Sequence, residues 1–316
     1  MRVLLTGASS FTGYWFARAL VEGGHDLTAV FRRTRQQYEG ARGRRVADLA
    51  GRVRCAWGTS FGDDAFQPLV SKGGFHLLCH HAAEMRDYRS WDFDPLAAAA
   101  ANSRQVRAVV EQLVRSGCGR VIVTGSVFEP FEGAGDDGQR AFSPYGLSKH
   151  FTFELWRLEC ERAGMPLGKF VVPNPFGPLE ERRFTSFLAQ EWGRGAVPVV
   201  RTPAYVRDNI HVSLLALAYC RFCERAPGTG VRDRACPSGY VETQGAFARR
   251  LAGAMCAYFG REFPLELADQ REFEEPLVRI NTERVASDGG EWSEPSAWQA
   301  LCRYYEEEFF GAPERV

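Results

Sequence analysis

Short apolar runs alternating with amphipathic segments predict an α/β chain built on a doubly wound parallel sheet, with a smaller, mainly C-terminal α/β lobe. Three observations carry that reading. The chain opens on MRVLLTG, an apolar run ending in Gly7, and GYWFARALVEGGH follows with helical periodicity and a glycine stop. HDLTAVFRR, RVRCAW, FHLLCHHAA and GRVIVTGS then read as further buried strands, with RQVRAVVEQLVRSG as a helix between the last two. Every candidate for chemistry falls at the C-terminal end of one of these strands, where doubly wound sheets bind ligands.

Bulk properties narrow the class. The 316 residues are 45% apolar and 13% aromatic, ample for a core. Zero formal charge argues against a general nucleic-acid or anionic-membrane binder. No apolar run reaches the 18 or so residues of a membrane span. The N-terminal run is too short for a signal sequence and flows directly into the glycine turn. Nine cysteines form no framework, and Cys220 and Cys223 lie in a helical pattern as reduced thiols, so a cytoplasmic setting without a metal is expected. His211, in the apolar run IHV, reads as a core histidine, and Asp208 as a structural partner.

The first turn reads Thr6-Gly7-Ala8-Ser9-Ser10-Phe11-Thr12-Gly13. Backbone N–H groups and the positive helix end at such a turn suit a pyrophosphate. Gly7 makes the tight turn and Gly13 lets helix and strand pack closely, while Ser10 stands where this fingerprint usually has glycine. Its side chain would crowd the phosphates or donate to them. The second strand ends Phe31-Arg32-Arg33, without the acid that bonds an adenosine ribose. Guanidiniums there grip a 2′-phosphate, so NADP(H) is preferred, with NAD(H) the alternative.

SPYGLSK, residues 143–149, opens a long helix after GRVIVTGS. Only three lysines occur in the chain, Lys72, Lys149 and Lys169, so chance supplies ~0.1 Tyr-x-x-x-Lys pairs at this composition. Four-residue spacing puts Tyr145 and Lys149 on one helix face. An ammonium beside the phenol is expected to lower its pKa toward neutrality. Ser126, ending the preceding strand, could donate to a substrate oxygen; Thr124 is the alternative hydroxyl.

These features, with HHAA at 80–83, Asn102, PNPFGP at 173–178, YVRDNIHV at 205–212 and RIN at 279–281, resemble the extended, nucleotide-sugar-modifying branch of the short-chain dehydrogenase/reductase family. The resemblance runs along nearly the whole chain and implies a Rossmann-type cofactor domain over 1–168, with 204–237 returning to it, and a substrate lobe over 169–203 and 238–316. It implies Ser126, Tyr145 and Lys149 as the catalytic set, with Asn102 supporting them through its backbone and a water. Cofactor contacts carried over are Gly7, Ser9, Ser10, Phe11, Thr12, Gly13, Arg32, Arg33, the backbone of His81, Ala82 and Ala83, then Tyr145, Lys149 and Pro173. Glu84, Ser126, Phe128, Asn174, Arg207 and Arg279 are implied for the substrate, the two arginines clamping a diphosphate. The chain departs from the family in having Val172-Pro173 before Asn174 and Pro175 after it.

The glycine-rich loop 129–142 is expected to be a mobile cover. Val127 and Phe128 replace the acidic pair that 4,6-dehydratases carry, which argues against dehydration. The expected function is NADP(H)-dependent reduction of a keto group, at C4, of a nucleotide-linked deoxy sugar, in a homodimer. A 4-epimerase with tightly bound NAD is the alternative, ahead of a reductase of non-sugar carbonyls and a non-catalytic nucleotide sensor.

Overall fold

The computed structural model describes residues 1–136, 140–227, 233–286 and 290–311. Strands β1 (Arg2–Thr6), β2 (Asp26–Phe31), β3 (Arg54–Trp57), β4 (Leu77–His80) and β5 (Arg120–Ser126) join strands Leu167–Val172 and Asp233–Ala235 in one sheet. All its pairings are parallel. From one edge the order is Asp233–Ala235, Leu167–Val172, β5, β4, β1, β2, β3, so the topology reverses between β1 and β4. A crevice opens at the strand C-termini at such a reversal.

Helices α1 (Phe11–Glu22) and α2 (Gly40–Ala50) cover one face together with helix Val212–Glu224. Phe16 of α1 stacks on Tyr219 of that helix at 3.9 Å between ring centroids. Helices α3 (Phe66–Gly73), α4 (Pro95–Asn102), α5 (Val106–Arg115) and α6 (Pro144–Ala163) follow, and Val109, Leu113 and Trp156 of α5 and α6 bury against the other face. Both faces are thus apolar, which is why the central strands are continuous hydrophobic runs without alternation.

The chain leaves this sheet later than the sequence suggests. Residues Leu167–Val172 pair along β5 as far as Ser126↔Val172, so a boundary at residue 168 cuts through a strand. The apolar run KFVV simply continues the core. Strand Val206–His211 lies in a second sheet, between Tyr240–Thr243 on one side and Val278–Ile280 and Asn174–Phe176 on the other. Helices Phe184–Gly193, Gln244–Phe259 and Glu294–Tyr305 bury a separate core against it, centred on Phe176, Phe247 and Tyr305.

The 129–142 loop is not a free cover where it is described. Ala134–Gly135 pairs antiparallel with Val278–Ile280. Arg279, 1% exposed, donates to the carbonyls of Val127 (2.8 Å), Glu129 (2.6 Å) and Arg140 (3.2 Å). Residues 137–139 lie outside the described residues. Asp208, expected to be a structural partner, accepts from the N–H groups of Gly239 and Asn281. Among the described residues no helix is long and apolar enough to cross a membrane.

Replacing Arg279 by methionine leaves those buried carbonyls without a donor. The expected cost is roughly 2–4 kcal/mol, read as a lowered denaturation midpoint, with the loop becoming protease-sensitive.

Candidate active site

The β1–α1 turn is fixed by what cannot be placed there. Gly7 has φ +77°, and a Cβ on it would lie 2.8 Å from the Ala82 nitrogen. A Cβ on Gly13 would lie 2.2 Å from the Gly7 carbonyl oxygen. A backbone cradle of this kind at a helix N-terminus fits a dinucleotide pyrophosphate. Ser10 does not point at it. Its hydroxyl caps α1, accepting from the Gly13 N–H at 3.1 Å and donating to the Gly7 carbonyl at 2.9 Å. The serine in the glycine position thus turns its hydroxyl onto the turn's own backbone and His81.

Two histidines hold this turn to the neighbouring strands. Thr6 Oγ1 accepts from the N–H groups of His81 and Ala82, both at 3.1 Å, so those N–H groups are already used within the protein. His80 bridges Thr6 Oγ1 (3.2 Å) and the Asn102 carbonyl (3.0 Å). Donation from Nε2 to that carbonyl leaves Nδ1 to accept from the threonine, which fixes the tautomer. His81 lies against Thr124 Oγ1 at 3.0 Å, Thr12 Oγ1 at 2.9 Å and Ser10 Oγ at 3.1 Å. Its side chain therefore does structural work that the backbone-only expectation missed. Burial, reinforced by the Lys149 charge, pushes both imidazoles down to about 3, so both are neutral.

Tyr145 and Lys149 are set by the first turns of α6. Ser143 caps the helix through Gly146 N–H (3.1 Å), and Pro144 occupies its first position. Gly146 is needed for close approach, because a Cβ there would meet the Phe128 carbonyl oxygen at 2.0 Å. That approach brings the turn against the end of β5, where Ser126 Oγ accepts from Phe128 N–H at 3.2 Å. Lys149 is 4% exposed and its pKa is pushed down to about 8 by burial, with Glu129 opposing and Lys169 assisting.

The electrostatic expectation for Tyr145 is corrected. Burial raises the phenol well above its usual value, Glu129 and Tyr88 add to the rise, and the lowering influence comes from Arg183. The ring is half-buried between Tyr88 (5.2 Å) and Phe93 (6.3 Å). A phenol in that setting stays protonated at neutral pH and can act as a proton donor.

Asn102 supports the site differently from the expectation. Its carbonyl meets His80, its Oδ1 accepts from Glu84 N–H at 2.7 Å, and its Nδ2 donates to Thr152 Oγ1 at 3.2 Å. Glu84 folds back on the N–H groups of Met85 and Arg86. Behind Ser126, Glu129 is fully buried and accepts from Ser126 N–H at 2.7 Å. Lys169 joins it to Glu132 at 2.6 and 2.8 Å, and Glu132 also pairs with Arg234. Burial works against the Lys169 charge, yet the two carboxylates hold its pKa above the ordinary value.

Beside Tyr145 a cleft of about 350 Å³ opens between the sheet and the second lobe, lined among others by Phe128, Asn174, Phe176, Asn209 and Gln244. Phe128 and Asn174 were expected there; Tyr88, Arg183 and Gln244 were not, since one arginine among 36 carries no positional signal. A wider depression of about 930 Å³ lies at the opposite, N-terminal ends of β2 and β3, away from these groups.

Neither motif arginine is turned to the cleft. Arg279 is spent on the 129–142 loop, stacked over Phe142 at 5.3 Å. Arg207, 5% exposed, donates to the carbonyls of Val206 (3.0 Å), Pro276 (3.0 Å) and Leu277 (3.2 Å) and pairs with Glu275 at 2.8 Å. The diphosphate clamp read from YVRD and RIN is therefore not assembled. At the end of β2, Phe31 is buried and stacked on Trp57 at 4.5 Å, leaving Arg32 and Arg33 exposed. Pro173 is buried where the chain passes from one sheet to the next. Cys220, His25 and Glu224 bring three potential ligand atoms within 4.8 Å, but His25 Nε2 is already hydrogen-bonded to Glu224 at 3.0 Å and burial lifts the Cys220 thiol to about 12.

A glycine cradle at the β1–β4 reversal, with Tyr145 lining a cleft and Lys149 four residues along the same helix, fits a dinucleotide-dependent α/β enzyme. The sequence profile of the NAD dependent epimerase/dehydratase family matches residues 3–231, and the chain belongs to that family, an enzyme of the extended short-chain dehydrogenase/reductase type. Similar solved structures include a UDP-glucose 4-epimerase from Thermotoga maritima with UDP-glucose, at TM-score 0.73 and 15% identity, covering 98% of this chain and 99% of that one. A UDP-glucuronic acid 4-epimerase from Bacillus cereus, in complex with NAD, gives 0.73 and 12%, covering 98% and 100%. A dTDP-glucose 4,6-dehydratase from Streptomyces venezuelae with NAD bound gives 0.69 and 18%, covering 97% of each chain. At these identities the likeness establishes the fold alone. No curated protein matches the chain.

The neutral histidines set an acid limit. Unfolded imidazoles take up protons near pH 6.5 whereas His80, His81 and His211 resist to about 3. Stability is therefore full above pH 6.5 and falls progressively as pH drops from 6.5 toward 3. Urea midpoints measured across that range should decline, and His211→Asn should flatten the slope.

Proposed function

We propose that the protein is an NADP(H)-dependent oxidoreductase that reduces a keto group of a nucleotide-linked sugar. The observation that carries the cofactor preference is the β2 terminus, where Phe31 takes the place of an acid and two exposed guanidiniums follow. Gly7 and Gly13 would hold the pyrophosphate, and Arg32 and Arg33 the 2′-phosphate. The bound nicotinamide supplies a hydride. Tyr145, kept protonated by burial, gives the proton to the carbonyl oxygen. Ser126 donates a hydrogen bond to the same oxygen, and the Lys149 ammonium, four residues along the same helix, offsets the charge left on the phenol.

Dehydration is disfavoured on a second ground. Glu129, the first acid after Ser126, is fully buried and bonded to Lys169, so it cannot reach substrate. A nucleotide-sugar 4-epimerase with tightly held NAD is the second reading, supported by the family and by the same Ser/Tyr/Lys set. Exposed Leu155 and Leu158 on α6, with Leu96 on α4, support a homodimer.

Mixing the protein with NADPH or NADH and a panel of 4-keto sugar nucleotides tests this reading. Net loss of reduced-nicotinamide absorbance is expected, and interconversion of two sugars without net consumption would favour the epimerase. Tyr145→Phe should lower kcat by about 10²–10⁴-fold. Arg32→Ala with Arg33→Ala should erase about a tenfold to hundredfold preference for NADPH over NADH. Reductive kcat/KM should be flat below pH 7 and fall as the Lys149 ammonium titrates near 8.

A further inference from the structure

Ser126 carries the hydroxyl of the proposed reaction, and both of its backbone groups end on one residue. Its N–H donates to Glu129 Oε1 at 2.7 Å, and its carbonyl accepts from Glu129 N–H at 3.0 Å. The second carboxylate oxygen, Oε2, accepts from Lys169 Nζ at 2.6 Å. We infer that Glu129, anchored by Lys169, is a positioning residue: it fixes the strand end that carries Ser126 and presents a fixed negative charge to Tyr145 and Lys149. The inference rests on the carbonyl reduction proposed above.

The fold makes room for this pair. A Cβ on Gly125 would lie 2.7 Å from Lys169 Cε and 2.9 Å from Glu129 Oε1, so the glycine of Thr124-Gly125-Ser126 is required by the ion pair. Lys169 comes from the neighbouring strand, in register with Val123, and its Nζ lies 4.2 Å from the ring centroid of Phe153 on α6. The pair therefore touches both the strand of Ser126 and the helix of Tyr145 and Lys149. Glu129 is fully buried and Lys169 nearly so. A pair so deeply desolvated contributes little net stability. The same burial gives its charges an electrostatic reach that a surface pair lacks.

The surrounding charges settle the direction of the effect. Glu132 also binds Lys169 and is itself paired with Arg234, and Arg279 donates to the Glu129 backbone carbonyl. On the α6 side, Arg183 and Tyr88 act on the Tyr145 phenol as well, Lys169 acts on Lys149, and the adjacent His80 and His81 are neutral. The Glu129 charge favours the protonated phenol and the ammonium, whereas Lys169 works against the ammonium. Without the Glu129 charge, Lys149 loses its proton at lower pH. With that proton goes the cation that offsets the phenolate left by proton transfer.

The test uses the three lysines, Lys72, Lys149 and Lys169, as probes. Protein carrying carbon-13 at lysine Cε is titrated by NMR as the wild type, Glu129→Gln, Glu132→Gln, and Glu129→Gln combined with Lys169→Met; Lys72→Arg assists assignment. The Lys149 signal should titrate at about 8 in the wild type and about one pH unit lower in Glu129→Gln. Glu132→Gln removes a second buried carboxylate of the same chain and should leave the Lys149 midpoint where it is. The double variant removes the pair without leaving a lone charge, so it serves where Glu129→Gln does not fold. Its Lys149 midpoint should fall between those of the wild type and Glu129→Gln, because the two charges act on Lys149 in opposite directions. A Lys149 midpoint unmoved in both Glu129 variants, or moved equally in Glu132→Gln, would overturn the inference. Reductive kcat/KM should show its basic limb displaced to lower pH by the same amount in Glu129→Gln; an equal loss at every pH would make Glu129 merely structural and also overturn it. If no keto sugar nucleotide is reduced, the substrate reading fails, and the lysine titration still decides the role of Glu129.

Discussion

A methyl group at position 13 would sit 2.2 Å from the carbonyl oxygen of Gly7, and one at position 7 would press on the backbone of Ala82. The close approach of α1, β1 and the end of β4 at that point governs how the rest of the site is built. It lets Thr6 reach the N–H groups of His81 and Ala82, and it lets His81 touch Ser10, Thr12 and Thr124 together. The turn is thereby bolted to β4 and, through Thr124, to β5, the strand that delivers Ser126. A cradle tied to the strand that carries Ser126 is the geometry that transfer between a dinucleotide and a bound ligand requires.

A second constraint lies behind Ser126. Glu129, Lys169, Glu132 and Arg234 form a buried-to-partly-buried charge chain running from the N–H of Ser126 toward the surface. Such a chain gains little net stability, because desolvation offsets attraction, but removing one member leaves a buried charge exposed to its neighbours. Its position is what matters. Glu129 acts on both Tyr145 and Lys149, holding the phenol protonated and opposing the loss of the ammonium proton. An aromatic wall from Tyr88 and Phe93 adds to the desolvation of the phenol.

The sheet, its order of elements and the two required glycines were readable from the sequence because each arises from local pattern: buried runs, helical period and a turn without room for Cβ. The residues of SPYGLSK were readable for a similar reason, since a four-residue spacing on one helix face is a local fact. The domain boundary slipped because KFVV carries no mark of where pairing with β5 stops. The 129–142 loop looked like a cover because glycine content says nothing about Arg279, which arrives from 150 residues beyond Glu129 to tie it down.

By itself, the sequence determined that a glycine turn, a Tyr/Lys pair and a short hydroxyl-bearing strand end occur at the C-terminal edge of a parallel sheet. Only the tertiary structure decided that Arg207 and Arg279 are bonded within the protein, since their charge is the same as any arginine's and only their surroundings differ. It also decided the protonation of Tyr145, for a phenol's pKa is set by desolvation and by charges brought close in space. Burial and proximity across the chain are sums over distant residues, and no local pattern contains them.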